Sequence, residues 1–279
     1  MAKPCATVIP VASGRTEIES GNYMRVSPRP AVGLLAFVVY LAIVSVLWKA
    51  LGVDYNTVQD TTANVVKGIV IPVGTGAVFL AGFTTYLGWW RPVMFERPRT
   101  APRWTMVVTL LYLVAALASV ATSGTFTLSV SHVLLLALGC ALVGFSEETV
   151  TRGLMLVGFR GGMSEGWVWF LTCALFGLLH GINVLFGQSL SATIRQIGFA
   201  FVAGTALYVV RMAQGALLPA MALHALWDFG SLGASASNTS TPLFVGLLFQ
   251  LTLIVSLVAA WQIVRAKKAS LETPNPILA

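Results

Sequence analysis

Long apolar runs separated by short polar stretches set the pattern of this chain. Eight of them, near 31–51, 66–90, 104–122, 131–159, 166–187, 191–211, 215–232 and 243–264, reach the length a bilayer-crossing helix needs, about 20 residues. The pattern predicts an all-α polytopic membrane protein, an eight-helix bundle enclosing a polar intramembrane cavity. The fourth run is longer than a span requires and is expected to project or tilt. The seventh is short and carries Pro219 in its first turns. The chain divides into a flexible cytoplasmic tail (1–30), three peripheral helices (31–129), a core (130–232), and a last helix with a cytoplasmic tail (233–279).

Composition supports this reading: 57% of the 279 residues are hydrophobic and 10% are charged, where soluble domains carry about 25% charged residues. A net charge of +7 would suggest a nucleic-acid patch in a soluble protein. Here the basic residues fall in alternate loops and report topology instead, so the expected partner is lipid and not nucleic acid. With the N-terminus inside, one side holds Lys3, Arg15, Arg25, Arg29, Arg91, Arg97, Arg99, Arg103, Arg152, Arg160, Arg211, Arg265, Lys267 and Lys268. The other holds Lys49, Lys67 and Arg195. Fourteen against three places both termini in the cytoplasm, with Trp89, Trp90, Trp104 and Trp261 at inner edges and Trp48 at an outer one. The polar stretch Lys3 to Pro30 has no apolar core and is not read as a signal peptide. Cys5, Cys140 and Cys173 share no close spacing and read as small packing residues rather than a disulfide or metal site.

Small residues mark close helix approaches: Gly139, Ala141 and Gly144 in the fourth run, Gly177 and Gly181 in the fifth, Ala200 and Gly204 in the sixth, Ala220, Ala222 and Ala225 in the seventh. Spans four to seven are therefore expected inside, with the rest as an outer wall.

Against this background the ionisable residues within spans need a reason, since each costs roughly 2.5–3.5 kcal/mol on insertion scales. Ser146-Glu147-Glu148-Thr149-Val150-Thr151-Arg152 puts two carboxylates and a guanidinium in the longest run. Glu148 and Arg152 are i and i+4 and can pair on one face, whereas Glu147 lies about 100° around the axis and points elsewhere. In span five, Phe176, His180 and Asn183 share a face. In span seven, His224 and Asp228 are one turn apart, so the carboxylate can orient the imidazole.

No nucleophilic Ser or Cys accompanies the histidines, which disfavours acyl-enzyme chemistry. A carboxylate with a histidine can instead deprotonate a water, while a second histidine with an orienting acid donates to an oxyanion. Glu147, His180 and His224 could also ligate zinc and leave a fourth position for water. There is no H-E-x-x-H. A rise of 1.5 Å per residue puts Glu147 about 24 Å from the outer end of span four and His180 about 21 Å from the inner end of span five. The two levels meet only if span four is displaced or tilted.

The ordered motifs E-E-x-x-x-R (Glu147, Glu148, Arg152), F-x-x-x-H (Phe176, His180) and H-x-x-x-D/N (His224, Asp228) resemble those of the CPBP family. That family includes the type II CAAX prenyl endopeptidases, bacteriocin-processing and immunity proteins, and Abi proteins. The resemblance spans about 130–232 and implies an intramembrane endopeptidase whose polar cavity opens towards the cytoplasm. It assigns water activation to Glu147 and His180 and oxyanion stabilisation to His224 and Asp228, with Glu148, Arg152, Phe176 and Asn183 in support. A glutamate-type mechanism without metal is favoured over a zinc one, so no cofactor is expected. Eukaryotic prenyl proteases carry Asn at the Asp228 position; an ionised Asp cannot donate and is assigned to orienting His224. The chain looks bacterial, which implies a cell inner membrane and a peptide or membrane-protein substrate that is not prenylated. Two other readings compete: a non-catalytic immunity or scaffold protein on the same fold, and a proton-coupled transporter, which is weakened by the missing inverted repeat.

Overall fold

The computed structural model describes residues 24–96 and 101–272, with side chains to residue 269. The expected tail up to residue 23, with Cys5, Lys3 and Arg15, lies outside the described residues, as do Arg97 and Arg99. Eight long helices follow the apolar runs closely. They are α1 (Pro30–Leu51), α2 (Thr62–Leu87), α3 (Met106–Thr122), α4 (Val130–Arg160), α5 (Glu165–Leu179), α6 (Leu190–Gln214), α7 (Leu218–Ala236) and α8 (Leu243–Glu272). No strand is present among the described residues.

Local chemistry sets the boundaries. Ser129 and Ser189 cap α4 and α6 by accepting from His132 N and Ala192 N, which satisfies donors that a helix start leaves free. Pro30 and Pro219 stand in first turns, where a missing N–H costs nothing. Gly52, Gly88 and Gly215 end α1, α2 and α6 in the left-handed region, a conformation glycine adopts without Cβ strain.

Seven helices among the described residues are long and apolar enough to cross a membrane. The protein is therefore a multi-pass membrane protein. The seventh predicted run, now α7, is not one of them: His224, Asp228 and several Ser and Gly residues lower its hydropathy. It is held instead by protein, packing chiefly against α4 and α3. Large apolar side chains such as Val38, Val46, Val78, Leu110, Leu134 and Ile254 are exposed, the belt expected where lipid is the solvent.

The bundle has two chemically distinct ends. One is formed by residues 24–29, 88–96, 101–105, 161–164 and 215–217 and the end of α8. Trp89 Nε1 donates to Val26 O, and Trp104 Nε1 to Gln262 Oε1. Glu96 sits there between Arg160 Nη1 (2.8 Å) and Lys267 Nζ (2.6 Å), with Glu165 chelated by Arg160. Among the described residues, Arg25, Arg29, Arg91, Arg103, Arg160, Arg265, Lys267 and Lys268 belong to this end. Lys49, Lys67 and Arg195 belong to the other. That other end joins 52–61 to 180–189 and to the start of α4: Asn56 Nδ2 donates to Gly187 O, and His132 Nε2 meets Gln59 O at 2.9 Å.

Small residues do sit at close approaches. A Cβ on Gly144 would stand 2.5 Å from Met221 O of α7, and one on Gly177 would stand 2.7 Å from Ile197 O of α6. Two arginines counted as loop residues are placed differently, because Arg152 and Arg211 are both fully buried. Without them the described residues divide eight against three, so the charge asymmetry stands among the described residues.

Candidate functional site

α4 does not run through the Glu pair as a regular helix. Directly after Glu148, residues Thr149–Met155 form a widened π segment, all of it buried. Such insertions shift the faces of the turns on either side and recur at functional sites. Here Glu148 and Arg152 still meet, at 2.9 Å with neither side chain exposed. The pairing predicted from i, i+4 spacing is present.

Arg211 from the end of α6 reaches one carbonyl of the π segment and two of the neighbouring Trp90–Met94 turn. Its Nη1 donates to Val93 O (2.6 Å) and to Arg152 O, and its Nη2 to Pro92 O (2.8 Å). Arg211 thus ties α6, the Trp90–Met94 turn and the segment bearing the carboxylates together. The sequence reading missed this role; the signal was an arginine inside the apolar run Val209-Val210-Arg211-Met212.

Glu148 reaches across to α7, where Oε1 lies 2.9 Å from His224 Nδ1. The carboxylate nearest to His224 is therefore Glu148, which carries both the guanidinium and the imidazole. Asp228, assigned from sequence as the orienting acid, has Oδ2 3.4 Å from His224 Nε2, and Glu147 Oε2 lies 3.9 Å from the same nitrogen. The imidazole stands among three carboxylates, one on Nδ1 and two near Nε2.

His180 comes from the point where α5 tightens into a 3-10 coil, His180–Phe186. Its Nδ1 is 3.1 Å from Phe176 O. A carbonyl only accepts, so Nδ1 carries the proton and, in the neutral ring, Nε2 holds a lone pair. Phe176 separates the two imidazoles, with its ring edge-on to His180 (5.4 Å between centroids) and to His224 (5.7 Å). Arg152 Cζ sits 4.0 Å from the centre of that ring, a cation–π contact. The guanidinium rests on Gly204, where a Cβ would collide with Arg152 Nη2 and stand 2.9 Å from Phe176 Cδ1. Asn183 donates to Gln196 Oε1 at 3.0 Å, while Gln196 donates to Tyr55 OH at 2.8 Å.

A cavity of about 440 Å³ gathers Glu147, His180, Asn183, His224 and Asp228 onto one surface. Its lining is mostly apolar, with α1 (Tyr40, Val44, Trp48) and the start of α2 (Gly68, Ile69, Val73) contributing as well as α4 to α7. Glu147 and His180 share the cavity, so α4 does bring its carboxylate to the level of the end of α5. Ser146 points away, towards Val73 O. The cavity extends to Tyr55, Val58 and Gln196, at the end poor in basic residues. A second cavity at the basic end, beside Arg91, Glu96 and Arg160, shares no residue with it. A cytoplasmic opening and cytoplasmic termini are both expected from sequence; the described chain starts and stops at the basic end, whereas the cavity lining reaches the other end.

Among the described residues, no three His, Cys, Asp or Glu side chains are grouped as metal ligands. Nδ1 of His180 and Nδ1 of His224 each has another partner, which leaves Glu147 and the two Nε2 atoms as the donors that a zinc ion would find at this cavity.

The fold and site define a multi-pass helical membrane protein with a buried carboxylate–imidazole cluster. The family described as type II CAAX prenyl endopeptidase Rce1-like matches residues 129–230, a little over a third of the chain. That segment holds all three motifs, and it is the family their spacing pointed to. No curated protein and no solved structure matches.

Proposed function

We propose that the chain is a CAAX-protease-like intramembrane endopeptidase that hydrolyses a peptide bond with a water activated by Glu147 and His180. One observation carries the reading: Glu147 Oε2 is buried beside the cavity with no hydrogen-bond partner. An unpaired carboxylate oxygen in that setting is costly, and a proton-accepting role for it explains the cost. The family match supports the reaction class.

In this mechanism Glu147 takes a proton from water, with His180 Nε2 accepting from the same molecule. The hydroxyl oxygen bonds to the scissile carbonyl carbon, and the carbonyl π pair moves onto its oxygen. His224, with a proton on each ring nitrogen and held by Glu148 at Nδ1, donates from Nε2 to that oxyanion. Asp228, beside Nε2, keeps the ring directed. Collapse of the adduct breaks the C–N bond, and the proton held by Glu147 passes to the leaving nitrogen. The partners in this reading are a membrane-associated peptide or protein and the bilayer of a cell inner membrane.

The test is cleavage of a membrane-peptide reporter library by purified protein, with Glu147→Gln and His180→Ala alongside and with chelator added. General-base loss should lower the rate about 10²–10⁴-fold while the folded protein is retained, and chelator should have no effect. Activity that chelator removes and zinc restores would overturn the metal-free mechanism. A biological phenotype unchanged by Glu147→Gln would favour the scaffold reading.

A further inference from the structure

We infer that the cavity is fed from the non-cytoplasmic face, and that its occupant is an uncharged, apolar stretch of an exported or membrane-inserted peptide. This rests on the protease reading above for what happens to the occupant, but not for how it arrives. Three observations converge.

First, the cavity runs from Glu147 to Tyr55, Val58 and Gln196, at the end built from 52–61, the 3-10 coil His180–Phe186 and the start of α6. Second, the opposite end is closed beneath the catalytic cluster. There Arg211 is fully buried and binds three carbonyls, and Glu96 joins Arg160 and Lys267 below it. Third, that closed end holds eight Lys and Arg of the described residues against three at the cavity end. Positive charge marks the cytoplasmic side, so the cavity faces away from it.

The lining fixes the class of occupant. It includes Trp48, Ile69, Phe199 and Trp227, and the carboxyl groups of Glu147 and Asp228, but no Lys or Arg. An acidic segment, or a free C-terminal carboxylate, would be desolvated there beside two acids, and the one lining cation of the mechanism, His224, already stands among three carboxylates. Neutral apolar side chains suit the aromatic wall. The carboxamides of Asn183 and Gln196 and the Tyr55 hydroxyl, linked to one another towards the cavity's end, supply donors and acceptors suited to a peptide backbone.

Sided thiol labelling tests the access route without requiring catalysis. In a Cys5→Ser background, where Cys140 and Cys173 are buried, three single variants report position. Asn56→Cys marks the cavity end, Arg91→Cys the basic end and Ser231→Cys the cavity wall. A small membrane-impermeant thiol reagent applied to intact cells should modify Asn56→Cys and Ser231→Cys. Arg91→Cys should react only in inverted vesicles. Gln196→Cys repeats the cavity measurement should Ser231→Cys fold poorly. Modification of the cavity positions only from the Arg91 side, or from neither side, overturns the route. So does labelling of Asn56→Cys only after inversion. For the occupant, a neutral apolar reporter should be cleaved at least tenfold faster than one with acids flanking the bond, and only in right-side-out vesicles. Equal cleavage of both overturns the substrate class. Absence of cleavage with correct labelling overturns the protease reading and leaves the access route standing.

Discussion

Gly204→Ala puts the site's packing to a quantitative test. Alanine is favoured over glycine inside a helix by about 1 kcal/mol, so a methyl at an uncrowded position should stabilise α6. At residue 204 the methyl meets Arg152 Nη2 and Phe176 Cδ1. The guanidinium cannot yield freely, because its Nη1 is bound to Glu148 Oε1 and Thr151 Oγ1, both buried. Breaking a buried ion pair costs about 3–5 kcal/mol. Even partial displacement therefore exceeds the helix gain, and a net loss of about 2 kcal/mol is expected. At about 2–4 °C per kcal/mol for a chain of comparable size, Tm should fall by about 4–8 °C. Gly198, on the same helix with nothing within 4 Å of an added Cβ, provides the control, and Gly198→Ala should be neutral or stabilising. Thermal unfolding in detergent, followed by tryptophan fluorescence, reads both. Activity on the reporter should fall with Gly204→Ala, since Arg152 and Phe176 also set the two imidazoles. A Gly204→Ala variant as stable as Gly198→Ala would refute the view that the guanidinium is clamped against α6.

Further outcomes follow from the same contacts. Glu148→Ala leaves Arg152 buried without its acid and should cost about 3–5 kcal/mol; adding Arg152→Met should recover much of that loss in the same melt. Phe176→Leu should retain most of the stability yet lower kcat more than it raises KM, because the ring spaces His180 from His224. Glu96 lies outside the spans. Burial pushes its carboxyl up, but Arg160, Lys267 and Arg211 together outweigh that and hold it at about 2. A folded-state value below the ordinary 4.5 adds stability above the ordinary value, of order 3 kcal/mol. That contribution drains as pH falls from about 4.5 through about 2. Wild-type Tm should thus drop more steeply over that window than Tm of Glu96→Gln, and parallel slopes would contradict the ion cluster.

How far the sequence exposed this arrangement varied with the range of the interaction. Apolar runs located the seven helices able to cross a membrane, because lipid demands length and hydrophobicity of each separately, although α5 ends eight residues before its run does and α8 continues eight beyond its own. The pairing of Glu148 with Arg152 was equally legible, being fixed by one turn of one helix. Contacts between helices were not. Spacing made Asp228 the natural partner of His224, one turn away. The packing of α7 on α4 instead brings Glu148 to 2.9 Å from Nδ1, which no periodicity encodes. The π segment escaped for a related reason: nothing in Thr149 to Met155 forbids a regular helix, and the widening is fixed by contacts from α1 and Arg211. Arg211 looked like a topological marker because charge at the end of an apolar run ordinarily is one. The direction of the cavity depends on which helix ends lie together, information carried only by the assembled bundle.

The modest hydropathy of α7 has a consequence for biogenesis. A segment carrying His224 and Asp228 partitions poorly into lipid when it emerges alone, and its favourable surroundings are supplied by α3 and α4, which are synthesised earlier. Insertion of α7 is therefore a cooperative step in which the nascent chain builds its own solvent. Substitutions that loosen α4 should appear first as failed integration of a helix some seventy residues downstream.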